Sequence, residues 1–214
     1  MKTVIQHAKD FAITGRGDNP AWAGTEWLNL APVMGPMTDT TRAKLLYTYR
    51  GIYGLFDCVD SKLSCTITEE GGKLYEEDVV EIFLQPDESQ RVYIEYELSP
   101  LNKDLVLLVP NDGQQFYGWT TFKMPEERLP RHEVTVRGGK REPGAQMQGF
   151  TAEFFIPFSL FAGLSNTPPS KGTQWRGNLY RIDYDDDPRT LWAWCRDTGR
   201  SFHDFKHFGW IEFG

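Results

Sequence analysis

Short β-rich runs separated by turn-forming residues dominate this chain, and they leave no window long enough for a helix. Such runs occur at Ala43–Tyr49, Gly51–Val59, Leu63–Thr68, Val79–Gln85, Val92–Leu98, Leu105–Val109, Trp119–Phe122, Glu133–Val136, Phe150–Ile156, Asn178–Tyr184, Thr190–Trp194 and Trp210–Phe213. Between them stand Arg50-Gly51, Gly71-Gly72, Pro86-Asp87, Asn111-Asp112-Gly113, Gly138-Gly139 and Asp187-Pro188, residues that suit tight turns and break apolar 3.6-residue spacing. Many short strands at near-regular spacing favour an antiparallel arrangement over βαβ units. The prediction is an all-β chain: an antiparallel β-sandwich, immunoglobulin-like or jelly-roll-like, with long connecting loops. Helical turns are expected only near Pro125–Leu129 and Pro157–Ala162. Met124–Arg131 and Gly138–Gly149 read as surface loops, because they carry charge and turn formers and little to bury. At 214 residues the chain can close one core without splitting, so residues 1–214 are read as one domain.

Charge narrows the partners. The chain has 23 Lys and Arg against 30 Asp and Glu, a formal charge of −7, so its surface repels nucleic-acid phosphates and anionic lipid. The longest clean apolar run, Leu105–Val109, is far short of the roughly 20 residues of a membrane span. No nucleic acid and no membrane are expected as partners. Met1–Asp10 has no apolar stretch like that of a signal peptide; the expectation is a cytoplasmic protein as written, or an extracellular or periplasmic one if a leader has been removed. Cys58, Cys65 and Cys195 lack framework or zinc-ribbon spacing and read as small, buried, reduced residues, with a Cys58–Cys65 bridge open. Aromatic content is high, with 7 Trp, 9 Tyr and 14 Phe. These rings either build a β-core or stand at a binding face.

Several patterns fail on their mechanics. Arg16-Gly17-Asp18 is too short to carry function. Asp183, Asp185, Asp186 and Asp187 begin like a calcium loop, but Pro188 and Trp194 stand where an EF-hand needs its Gly and bidentate Glu. His203 and His207 have i, i+4 spacing without the accompanying Glu of a zinc helix. No catalytic nucleophile, phosphate loop or dinucleotide fingerprint is present. Glu95 and Glu97 share one strand face, about 6.6 Å apart at roughly 3.3 Å per residue, a separation compatible with glycosidase chemistry. The alternation with Val92, Ile94, Tyr96 and Leu98 instead reads that face as the solvent side. In Tyr75-Glu76-Glu77-Asp78-Val79-Val80-Glu81-Ile82-Phe83, period two places Glu81 between Val79 and Phe83. An acid between apolar neighbours is a hydrogen-bonded structural group or a polar anchor on a cleft floor. Trp192 and Trp194 likewise share a face, as core or as ligand platform.

The ordered set of segments resembles the carbohydrate-binding module family 9-like domains, a DOMON-like β-sandwich. It runs through Thr41–Tyr47, Ile52–Phe56 with Asp60, Tyr75–Phe83, Tyr93–Pro100, Gly149–Phe158, Trp175–Asp183, and Trp194 with Phe202-His203 and Phe208-Gly209, and covers about Trp27 to Gly214. The resemblance implies a non-catalytic site that clamps a sugar unit between two rings, in support of carbohydrate catabolism, with separate glycoside hydrolases as partners. Carried over, Tyr75 is one ring, standing where the family often has Trp, Trp194 is the other and Glu81 is the hydroxyl-binding carboxylate. Arg181 is the favoured ligand-facing residue of the Asn178–Arg181 strand, since alternation lets only one of Tyr180 and Arg181 face the sugar, and Trp192 is a further candidate. A structural calcium is also implied, with only the acidic turn Asp183–Asp187 to place it. The −7 charge suits a neutral sugar, which needs no steering. Two other readings remain: a related sandwich serving as a protein-interaction, sensor or haem module, the last needing a Met and a His on one cleft wall, and a glycoside hydrolase using Glu95 with Glu97 or Glu81.

Overall fold

The computed structural model describes residues 1–35, 39–121, 124–196 and 201–214. Among them are thirteen strands: β1 (Lys2–His7), β2 (Leu28–Met34), β3 (Thr41–Tyr47), β4 (Gly51–Cys58), β5 (Val79–Gln85), β6 (Val92–Leu98), β7 (Asp104–Pro110), β8 (Thr120–Thr121), β9 (Arg131–Arg137), β10 (Gly149–Pro157), β11 (Gln174–Asp183), β12 (Thr190–Ala193) and β13 (Gly209–Phe213). They form a β-sandwich. One sheet runs β8-β7-β6-β5-β11, and the far edge of β11 is shared by β13 and β12. The other runs β9-β10-β4-β3, and the far edge of β3 is shared by β2 and the end of β1. All pairings are antiparallel except those of β1, which runs parallel to β13 and β3.

β1 and β2 pass from one sheet to the other. β2 pairs with β3 through Leu28–Leu30 and with β12 through Ala31–Met34. Pro32 sits where that second pairing shifts register, a position that tolerates a residue without an N–H. This Pro is why no strand is legible there in the sequence. β1 buries only Ile5 and so carries no alternation to read. Leu63–Thr68, expected as a strand, is not one. Three of its amides are taken by side chains instead: Asp78 accepts from Ser64 N, and Glu77 accepts from Thr66 N and Ile67 N. Of the run at Trp119–Phe122, Thr120 and Thr121 are strand and Phe122 lies outside the described residues. Short 3-10 turns stand at Glu126–Arg128 and Phe158–Phe161, as expected, and also at Pro20–Gly24, Leu74–Glu76 and Phe205–His207. The three cysteines are free and buried.

Period-two alternation builds the core. Val80, Ile82 and Leu84 of β5, Ile94, Tyr96 and Leu98 of β6, and Trp175 and Leu179 of β11 pack against Ile52, Phe56, Phe150, Phe154 and Ile156 of the second sheet. Gly54 lies opposite Phe154, and a Cβ there would stand 2.0 Å from the Phe154 ring. That glycine makes room for the ring.

The outer face of the second sheet is also covered. Residues 8–27 lie across it, with Phe11, Ile13 and Trp22 packed on Tyr53, Leu55 and Phe155, and Phe11 stacks on Tyr53 at 4.1 Å. Glu153 of β10, fully buried, ties the segment down by accepting from Thr14 N (2.8 Å), Gly15 N (2.9 Å) and Trp22 Nε1 (2.9 Å). Buried donors left without an acceptor cost about 1–3 kcal/mol each. Glu153→Ala should therefore lower unfolding stability by about 3 kcal/mol, measured by urea denaturation, and increase proteolysis within residues 8–27.

Candidate functional site

On the outer face of the first sheet, β5 and β6 set Glu81 opposite Glu97 and Phe83 opposite Glu95. Three carboxylates thus meet on one side of two adjacent strands. The expectation that Glu95 and Glu97 face solvent is corrected: they are 3% and 0% exposed, and Glu81 is 2% exposed. Segments of chain roof this face. The Leu74–Glu76 turn, the stretch around Phe116–Trp119, residues 201–203, the Tyr184–Leu191 connection and the end of β2 enclose a cavity of about 750 Å³. Glu81, Glu95 and Phe83 form its floor.

The floor is electrostatically strained. Burial, then the charge of Glu95, holds Glu81 well above the usual carboxylate range. Burial pushes Glu95 up to about 7, and burial with the two neighbouring acids raises Glu97. Glu95 Oε2 and both Glu97 oxygens have no hydrogen-bond partner among the described residues. His203 Nδ1 stands 3.9 Å from Glu95 Oε2, but burial pushes the imidazole down to about 4, so it is neutral at pH 7. Arg189 is held at the rim, over the Tyr184 ring and on its hydroxyl.

Aromatic rings make the walls. Tyr75 and Trp119 meet edge to face at 6.0 Å. Phe116 stacks on His203 at 4.1 Å, and His203 in turn lies over Phe83 at 5.6 Å. Tyr93 hydroxyl and His203 Nδ1 are hydrogen-bonded at 2.7 Å. Trp119 and Phe116 remain 41% and 42% exposed, which marks them as rim residues and not core. The sequence held one signal for Phe116: an aromatic in the turn-rich stretch after Asn111-Asp112-Gly113 has no strand face to fill; Trp119, read as the start of a strand, stands just before β8.

Of the residues expected at the site, Tyr75 and Glu81 border the cavity. Trp194, Trp192 and Arg181 do not. Trp192 and Trp194 do share a face, but it is the inter-sheet face, where they are 1% and 4% exposed; Leu191 takes the cavity side. On β11 the alternation is the reverse of that expected. Ile182 and Tyr180 point outward, Ile182 onto the cavity and Tyr180 beneath Phe202 at 4.0 Å, and Arg181 points into the core. There its guanidinium, fully buried, pairs with Asp60 (2.9 Å) and Asp183 (2.7 Å). It also donates to Val59 O and Thr41 Oγ1 and lies 4.7 Å from the Trp192 ring.

Beside that guanidinium, carboxylate oxygens of Asp60, Asp78 and Asp185 lie within 4.8 Å of one another. Burial with the neighbouring acids pushes Asp60 up to about 8 and Asp78 to about 7. The set is all oxygen, the donor type that a hard cation such as calcium takes, and a cation there would hold these buried acids ionised. Only Asp185 of the acidic turn belongs to it. Asp60, Asp78 and Asp185 would hold the ion, which would supply charge compensation between strands and no chemistry in the cavity.

No family model matches the chain, and no curated protein matches it. Solved structures do. The chain is similar to a protein from Bacteroides uniformis ATCC 8492 provisionally described as carbohydrate-binding, with TM-score 0.77 and 18% identity over 100% of this chain and 99% of that one. It is also similar to a carbohydrate-binding module of family 9 from Caldicellulosiruptor kristjanssonii, solved with cellotriose and with glucose. Both have TM-score 0.69 and 18% identity over all of this chain, and 93% and 96% of theirs. The fold implied by the resemblance is the fold of these structures.

Two measurements test this placement. Arg181→Leu leaves Asp60 and Asp183 buried without their cation and should cost about 3–5 kcal/mol of stability, read by chemical denaturation. For Glu95, the folded value near 7 lies above the unfolded value of about 4.3, so its contribution to stability is present below pH 4 and is lost as pH rises through 7. The unfolding midpoint should fall between pH 5 and pH 8, and Glu95→Gln should flatten that decline.

Proposed function

We propose that this protein is a non-catalytic carbohydrate-binding module, residues 1–214 acting as one unit, that seats a sugar in the cavity on the outer face of the β5–β6–β11 sheet. The observation that carries this reading is the pairing of aromatic walls with buried carboxylates in a single concave site. Sugars offer C–H faces that lie against aromatic rings and hydroxyls that need charged or polar partners. Tyr75 with Trp119 makes one wall and Phe116 backed by His203 another. Glu81 and Glu95 accept from hydroxyls at the floor. The neighbouring structures that hold cellotriose and glucose support the ligand class. A few hydrogen bonds with ring stacking correspond to millimolar to micromolar binding, about −4 to −8 kcal/mol. Such a module tethers its ligand and supports carbohydrate catabolism beside separate glycoside hydrolases.

A second reading has one observation in its favour. Met34 and His203 both border the cavity, the pair that haem ligation needs. The faces of His203 are already covered by Phe116 and Phe83, and the floor is acidic, which disfavours a porphyrin carrying its own carboxylates. Added haem should give no stoichiometric shift of its absorbance band; a sharp one would replace the sugar reading.

Calorimetry against glucose, cellotriose and a panel of other mono- and oligosaccharides tests the main reading. Tyr75→Ala and Trp119→Ala should each weaken binding by about 1–2 kcal/mol with the fold intact. Trp194→Ala should instead lose about 3–5 kcal/mol of stability. No heat from any sugar would end the proposal. Turnover of chromogenic glycosides that Glu81→Gln or Glu95→Gln abolishes would make the protein a hydrolase.

A further inference from the structure

The floor holds more carboxyl groups than a neutral sugar needs. Glu81, Glu95 and Glu97 lie on two paired strands, all buried; of the two that border the cavity, Glu81 and Glu95, Glu95 has an oxygen, Oε2, that accepts from no donor among the described residues. No Lys or Arg stands within ion-pairing distance of the three among the described residues. Arg189, at the rim, is engaged with Tyr184 and acts on Glu81 through its charge without pairing with it. A buried acid without a partner is costly, and one left beside two others more so. A hydroxyl donor satisfies one oxygen and brings no charge. An ammonium group brings three donors and a positive charge that can hold one of these acids ionised. The rings around the floor act in the same direction, because aromatic faces attract cations at close range.

We infer that the cavity selects an amino sugar, such as a glucosamine unit, whose protonated amine sits on Glu95 with Glu81 and Glu97 beside it. This inference rests on the carbohydrate reading and narrows it. It also changes what the −7 charge means: an acidic protein steers a cationic saccharide toward itself. The groups facing Glu95 are Glu97 on its own strand, Glu81 on β5, and Tyr93 and His203, which stay neutral at pH 7. The ammonium holds the Glu95 carboxylate in its charged form, so binding releases a proton and affinity rises with pH from about 5.5 to 7.

Calorimetry on the full chain at pH 7, with glucosamine hydrochloride, glucose and cellotriose as probes, decides the point. Glucosamine should bind about tenfold or more tighter than glucose, with net proton release read from buffers of different ionisation enthalpy. Glu95→Gln should bring the two monosaccharides within about twofold of each other. If glucose or cellotriose binds and glucosamine shows no advantage, the amine assignment is overturned and the carbohydrate reading stands. If no sugar binds, both fall. A preference that survives in folded Glu95→Gln also overturns the assignment. Should that variant fail to fold, proton release by the wild-type protein decides instead, and its absence counts against the amine.

Discussion

Burial of both faces of the β5–β6–β11 sheet is the constraint on which the rest of the molecule depends. One face meets the second sheet in an ordinary apolar core. The other is roofed by loops, so the polar residues that alternation places there cannot reach bulk water. Each must be paired, protonated or met by a ligand. Glu81, Glu95 and Glu97 fall under that rule, and the cavity above them is the space in which it can be satisfied. The second sheet obeys the same rule differently: its buried Glu153 is fully engaged by the chain's own amides and indole. One outer acid is saturated by the fold, and the other group of acids is not.

Arg181 shows the same physics inside the core. A fully buried guanidinium persists because Asp60 and Asp183 neutralise it and the Val59 carbonyl and Thr41 hydroxyl accept from its Nη1. Its partners come from β11 and from the connection after β4, so the charge network fastens the two sheets at one end. One of these acids, Asp60, also belongs to the cation-fitting set beside it, with Asp78 and Asp185.

Much of this was legible in the sequence. β5 and β6 run over the predicted residues, and the faces of Glu81 and of the Trp192–Trp194 pair follow from period two. What period two cannot say is which face is wet. Glu95 and Glu97 read as solvent-facing because polar residues alternated with apolar ones, yet the roof that buries them comes from segments distant in sequence. Trp194 and Arg181 failed for the complementary reason: residues suited to sugar binding also suit a core with a paired charge. β2 was hidden by Pro32, and Leu63–Thr68 was misread because carboxylates, not a neighbouring strand, take its amides. Phe116 and His203 belong to no strand pattern and Trp119 opens a run that reads as a strand, and only tertiary folding brings them to Tyr75.

The distribution of indoles has an optical consequence. Trp22, Trp175, Trp192 and Trp194 are buried in the sandwich, and Trp27 and Trp210 lie under arginine guanidinium groups away from the cavity. Trp119 is the indole on the cavity lining among the described residues. The emission of this protein is therefore a large, constant background from the sandwich with one superimposed reporter. A ligand that enters the cavity alters the signal of that reporter alone, and a perturbation of the remaining indoles signals a change in the sandwich itself.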